Sequence, residues 1–291
     1  MDDEGMERYL EAGRIASRIL TKGAGEIRAG ASYLGAVERI EEMVKADGAG
    51  LAFPLNVSIN EDAAHDTASA KDDRVFSRGD LVKLDLGVHL DGYIADTATT
   101  IDLGDHHLLV EASRRGLDQA ISMVRPGVSI GELGTAIHHE IEARGFKPVA
   151  NLTGHGLDRY MIHTPPNIPN VRVQGGAVLE EGMVFAIEPF ASTGCGRVTE
   201  KHRTEIYQQL AIHPVRLPSA RHILEEIRPR KGMPFSKRWL SGNKIDLALA
   251  ALIRAQVVRG YPVLSDVPGS LVSQAEHTLI VTSDGCIVTT A

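Results

Sequence analysis

The stretch KLDLGVHLDGYIADTATT, residues 83–100, constrains the fold most, because it asks for two carboxylates within an otherwise apolar sheet. It predicts two β-strands, about 81–87 and 93–101, joined at Asp91–Gly92, a dipeptide that tolerates the positive φ of a tight hairpin turn. With these two as the central turn residues, Asp96 stands opposite Gly87. Alternation then puts Asp85 and Asp96 on one face, and a one-residue slip would separate them.

Leu81, Leu84, Leu86, Ile94, Ala95, Ala98 and Ile101 make both strands too apolar for an exposed ribbon. Two like charges about 4 Å apart repel by roughly 4 kcal/mol at an effective dielectric near 20. A divalent cation between them relieves that repulsion, and hard oxygen ligands suit Mn, Co, Fe or Zn. A pair of solvated aspartates beside a turn is the competing reading, and the motif alone does not separate the two.

The chain is long enough, at 291 residues, for one large α/β domain or two modest ones, and its composition is that of a soluble globule. A net charge of −7 without a basic run disfavours nucleic acid as a partner. No stretch reaches transmembrane length, and MDDEGMERYL lacks the apolar core of a signal peptide. Cys195 and Cys286 do not make a disulfide framework, so a reducing cytoplasm is expected.

Apolar spacing predicts helices over 4–21, with Met6, Leu10, Gly13, Ala16 and Leu20 inward, and over 32–46, with Leu34, Val37, Ile40 and Val44 inward. LAFPLNVSIN at 51–60 reads as a strand interrupted by Pro54. His65 falls in a polar loop running to the hairpin. A third helix is expected over 107–124, and a fourth from a Ser129–Glu132 capping box to Arg144.

An internal echo links the halves. RAGAS at 28–32 and RPGVS at 125–129 stand 97 residues apart, as do Gly48 and Gly145. GDLVKLD at 79–85 resembles EGMVFAIE at 181–188, which sets Gly79 against Gly182 and Asp85 against Glu188. This order predicts an α+β fold of duplicated helix-helix-strand halves about a pseudo-two-fold axis, with a carboxylate from each half meeting at the middle. Residues 214–260 have no counterpart in the first half and read as a helical insertion. It ends in a helix that uses Ile245, Leu249, Leu252, Ile253 and Gln256, with Trp239 as its anchor. Strand character is expected to return with SQAEHTLIV.

The second half adds His155 between glycines in TGHG, Glu188 after the apolar run MVFAI, and Glu276 in QAEHTLIV. Each alone also reads as a turn histidine, a strand-end charge or an edge charge. Together with Asp85 and Asp96 they bring four negative charges, which two divalent ions balance and one does not. Carboxylates can bridge such a pair, and a bridging water can become hydroxide. No serine elbow, Walker loop or HExxH motif is present. His163 in YMIHTPP and His65 can approach a substrate from opposite halves.

AFPLNVSINEDAAH, KLDLGVHLDGYIADTA, NLTGHGLDRYMIH, EEGMVFAIEPF and YPVLSDVPGSLVSQAEHT together make the chain resemble the pita-bread methionine aminopeptidases over nearly its whole length. The helical region between His213 and Tyr261, and the lack of a long N-terminal extension, make it similar to the compact archaeal form of type 2. The resemblance implies a single catalytic domain over 1–291 that contains the 214–260 insertion, with a central antiparallel sheet. It implies two divalent cations, Co, Mn, Fe or Zn. Asp85 would ligate one, His155 and Glu188 the other, and Asp96 and Glu276 both. His65 would lie near the scissile amide and His163 at the substrate carbonyl, while Phe53 and Tyr261 would line a methionine pocket. The implied reaction is removal of the initiator methionine before a small second residue, by a metal-activated hydroxide with Glu188 as proton shuttle. The partners implied are nascent N-termini in transient ribosome proximity, and the protein is expected to be a monomer. Cys195 in TGCG departs from the family pattern and is expected to be a loop or buried thiol. X-Pro peptidases and non-enzymatic binding relatives of this scaffold are the rival readings.

Overall fold

The computed structural model describes residues 2–291 and divides them between two halves that begin alike. The first runs α1 (Asp3–Ala24), α2 (Tyr33–Ala46), β1 (Gly50–Leu51), β2 (Asn56–Ile59), β3 (Asp62–Ala64), β4 (Leu81–Leu90) and β5 (Tyr93–Asp102). The second runs α3 (His107–Met123), α4 (Ile130–Glu142), β6 (Lys147–Pro148), β7 (Thr153–Asp158), β8 (Met161–Pro169), β9 (Val184–Ile187), β10 (Phe190–Ser192) and β11 (Thr199–Gln209). The remainder comprises α5 (Pro218–Ile227), β12 (Phe235–Ser236), α6 (Ile245–Arg254), β13 (Val258–Ser265), β14 (Val272–Gln274), β15 (His277–Val281) and β16 (Cys286–Val288). No helix is long and apolar enough to cross a membrane among the described residues.

The echo in the sequence is an echo in the backbone. Gly30 and Gly127 have φ of 84° and 90°, Gly48 and Gly145 74° and 83°, and Gly79 and Gly182 90° and 84°. These left-handed turns are open to glycine at no steric cost, which explains why glycine recurs at each matched position. Gly30 N–H donates to Phe76 O at 2.7 Å, as Gly127 N–H does to Leu179 O at 2.9 Å. Ser32 bridges Val75 as Ser129 bridges Val178. The architecture is the pseudo-two-fold pita-bread arrangement, with a helix pair backing the strands of each half.

Threonines stitch the halves together. Thr278 Oγ1 accepts from Asp96 N and donates to Asp96 O, both at 2.8 Å, and Thr97 Oγ1 donates to Glu276 O at 3.0 Å. Ala98 and Glu276 form an isolated antiparallel bridge. The polar backbone at this seam is therefore satisfied, and the seam fixes the relative height of carboxylates from the two halves.

Three expectations need correction. In α1 the inward stripe is Tyr9, Ala12, Ile15, Ala16 and Ile19, with Met6, Leu10 and Leu20 half-buried at its edges. This helix packs on α2, β4 and β5 together, so its buried face is centred elsewhere than a single apolar row suggests. In α6 the buried residues are Ala248, Leu249 and Leu252; Ile253 is exposed, and Gln256 lies past the helix end with φ of 56°. Strand structure returns at Val258 in β13, before SQAEHTLIV, because Val257 and Val258 close the apolar cluster of α5 and α6. Trp239 packs on that cluster and on the first half's core, and its Nε1 donates to Glu41 of α2 at 3.1 Å.

Candidate metal centre

The Asp91–Gly92 turn forms with φ of 51° and 92°, and β4 and β5 pair with Gly87 opposite Asp96 and Asp85 opposite Ala98. Asp85 and Asp96 therefore share a face, and that face looks into a cavity of about 340 Å³. Opposite the hairpin, β7 presents His155 and the end of β9 presents Glu188. Glu276 comes from the bridge beside β15. All five line the cavity, and one ligand atom each of Asp96, His155 and Glu276 lie within 4.8 Å of one another. His155 Nε2 stands 3.7 Å from both Asp96 Oδ2 and Glu188 Oε1. Its other ring nitrogen, Nδ1, is 3.3 Å from Gly156 O, an acceptor that favours the proton on Nδ1 and a lone pair on Nε2 toward the carboxylates.

Electrostatics mark this cluster as incomplete without positive charge. Burial, then the neighbouring carboxylates, holds Asp96, Glu188 and Glu276 well above the usual carboxylate range, and burial pushes Asp85 up to about 7. The Gln274 side-chain amide reaches two of them, at 3.4 Å from Asp85 Oδ2 and 3.2 Å from Glu276 Oε2. Asp85 Oδ1 and Asp96 Oδ1 are buried with no hydrogen-bond partner. Buried carboxylate oxygens without donors, next to a bare imidazole nitrogen, fit divalent cations as ligands.

The cavity wall carries the remaining candidates. Phe53 follows β1 and packs against Gly87, where a Cβ would come 2.2 Å from its ring. Ile162 of β8, Ile206 of β11 and Pro234 extend this apolar side. His65 has φ of 64° and sits edge-on to Tyr261, ring centroids 5.1 Å apart. The loop after His65, expected to be merely polar, buries Asp66 and Thr67. Arg74 grips Asp66 at 2.6 Å, and Arg203 donates to Thr67 O at 2.9 Å. His163 opens onto the cavity, its ring 4.4 Å from that of His155. Burial holds His65 and His155 to about 4. For His163, removal from bulk water, then His155, His65 and Arg259, drives the pKa well below its ordinary value. All nine candidate residues thus meet in one cavity.

Sequence reasoning missed Ile162, Ile206, Asn151, Asn167, Pro234 and Arg259 as wall residues. Ile162, between Met161 and His163, carried a usable signal; Arg259 and Ile206 carried none, since only the β11–β13 register brings them to the cavity. Cys195 stays outside it in an exposed loop, its thiol donating to Asp266 Oδ1 at 2.8 Å.

Comparison with known proteins agrees with this geometry. Residues 7–233 match the metallopeptidase family M24. The chain is 50% identical over 291 residues, all of both chains, to a methionine aminopeptidase of Archaeoglobus fulgidus. A crystal structure of methionine aminopeptidase from Thermotoga maritima superposes with a TM-score of 0.75 at 25% identity, covering 100% of this chain and 98% of that one. A thermophilic Arx1 superposes with a TM-score of 0.86 at 18% identity, covering 99% and 91%, a likeness of fold.

Proposed function

Because the chain belongs to metallopeptidase family M24, we propose that it is a methionyl aminopeptidase of type 2, releasing the initiator methionine from nascent chains with a small second residue. One observation carries the reading: four carboxylates and an imidazole converge in a small cavity that also has an apolar side, made by Phe53, Ile162, Ile206 and Pro234. The charged end suits an α-amine together with cations, and the apolar side suits a thioether side chain. The buried charge of Asp96, His155 and Glu276 suits a chain terminus better than the middle of a chain, as an exopeptidase requires.

Asp85, Asp96, His155, Glu188 and Glu276 would hold two divalent cations, of which Co, Mn, Fe and Zn all accept such a donor set. When bound, the cations supply Lewis acidity, acidifying a water and drawing charge from the scissile carbonyl. Glu188, at the cavity end of β9 with its carboxylate 3.7 Å from His155 Nε2, takes the proton of the attacking water and delivers it to the departing amide nitrogen. His163, open to the cavity, donates to the substrate carbonyl, and His65 meets the scissile amide. Phe53 and Tyr261 flank the methionine side chain.

The α5–α6 segment supports the type 2 assignment, as a helical insertion over 214–260 within one catalytic domain. The working setting we propose is the cytoplasm, where a monomer meets nascent N-termini close to the ribosome; the net charge of −7 argues against direct nucleic-acid recognition.

The test is turnover of Met-Ala-Ser after chelation and defined readdition of each metal. Activity is expected to vanish and return in wild type, while Glu188→Gln, which keeps the shape and removes the proton carrier, loses about 10²-fold or more in kcat. Equal rates in the variant would remove the proton-transfer role, and preferential cleavage of Ala-Pro peptides would remove the methionine assignment.

A further inference from the structure

β11 and β13 pair antiparallel with Ile206 opposite Tyr261 and Gln208 opposite Arg259, and Ile206, Tyr261 and Arg259 all line the cavity. Arg259 is the only lysine or arginine among the lining residues, and it is exposed, as are Asn151, His163 and Asn167. Its pose is held from two sides. Gln208 Nε2 donates to Gly232 O at 2.9 Å, which turns Oε1 toward β13. That oxygen accepts from Arg259 Nε at 3.0 Å, from Arg259 Nη2 at 2.6 Å and from Tyr261 Oη at 2.6 Å. Nη2 also donates to Tyr261 Oη, and the guanidinium lies over the Tyr261 ring, 4.6 Å from its centroid. Nη1 meets no acceptor among the described residues.

A guanidinium restrained on one edge and free on the other is pre-organised to receive an anion, since the ordering cost of its long side chain is largely met already. The polarity of the cavity says which part of a substrate reaches it. With the α-amine at the buried carboxylates, the chain beyond the scissile bond runs toward the exposed lining residues, of which Arg259 is the one with a full charge. We propose that Arg259 is a specificity residue for the third residue of the substrate, favouring an aspartate or glutamate side chain there. The proposal rests on the methionyl aminopeptidase reading above and adds to it a preference beyond the small second residue.

The experiment compares C-terminally amidated Met-Ala-Asp, Met-Ala-Asn, Met-Ala-Ser and Met-Ala-Lys, amidation removing the terminal carboxylate as a rival anion. Wild type is expected to show a kcat/KM about fivefold higher for the Asp than for the Asn peptide at low ionic strength, shrinking in high salt. Arg259→Met should bring the Asp/Asn ratio to near one, and Arg259→Glu should reverse the preference toward the Lys peptide. Each variant is its own control, because the ratio is unaffected by a general loss of activity. A wild-type ratio of one, or a ratio that survives in Arg259→Met, overturns the assignment while methionine release stands. Failure to hydrolyse any of the peptides overturns the methionyl aminopeptidase reading and this one with it.

Discussion

His65, His89 and His155 are each held to a pKa of about 4, in every case chiefly by burial, so their ring nitrogens keep free lone pairs at neutral pH. At His155 this leaves a ligand; at His89 it leaves an acceptor, for Gly92 N–H donates to His89 Nδ1 at 3.2 Å and closes the hairpin turn. Arg230 and Lys231 near His89 oppose its protonation and Asp91 favours it. The unfolded chain protonates this histidine near pH 6.5 while the folded chain resists until about pH 4. Between those values the unfolded state binds more protons, so stability falls as the pH drops. His89→Asn, whose Oδ1 can still accept from Gly92, is expected to flatten the curve of Tm against pH from 6.5 to 4. An unaltered slope would assign the acid loss to other groups. Asp85 and Asp96 were legible as a pair because the turn dipeptide set their register. The protonation states of the imidazoles were not, since burial belongs to the fold.

At the scale of the element, the hairpin of β4 and β5 does two jobs on one face: Asp85 and Asp96 reach the cations' end of the cavity, and Gly87 makes room for Phe53. A side chain at 87 must displace the aromatic ring, at a cost of about 1–3 kcal/mol for overpacking. Gly87→Val is expected to lower Tm and to raise KM for Met-Ala-Ser several-fold, with a smaller change in kcat. A KM equal to wild type would show that Phe53 does not shape the pocket. The two strands could be read because their period-2 pattern and Asp-Gly turn agree. β13 could not: its residues continue the apolar pattern of α6, and pairing with β11 and β3 is what distinguishes strand from helix there.

Across the whole molecule, cation binding and folding are one equilibrium. The carboxylates come from β4, β5, the end of β9 and the bridge beside β15, and cations that bind the folded chain alone stabilise it by about 2.7 kcal/mol at a hundredfold excess over Kd. For a chain of this size that is a rise in Tm of roughly 5 °C. Thermal unfolding with and without Mn or Co is expected to show it, and to show far less in Asp96→Asn. A cation-independent Tm would separate the carboxylate cluster from metal binding. The duplicated order of helices, the left-handed glycines and the acidic residue closing each apolar run are local features, governed by period and backbone sterics, so the sequence by itself determined them. Which wall residues complete the cavity, and that Arg203 braces the loop after His65, depend on segments distant in sequence: Gln208 and Arg259 pair across 51 residues, and Arg203 reaches Thr67 across 136. Tertiary structure decided those, because a side chain's neighbours across a sheet are chosen by hydrogen-bonded pairing and not by its neighbours along the chain.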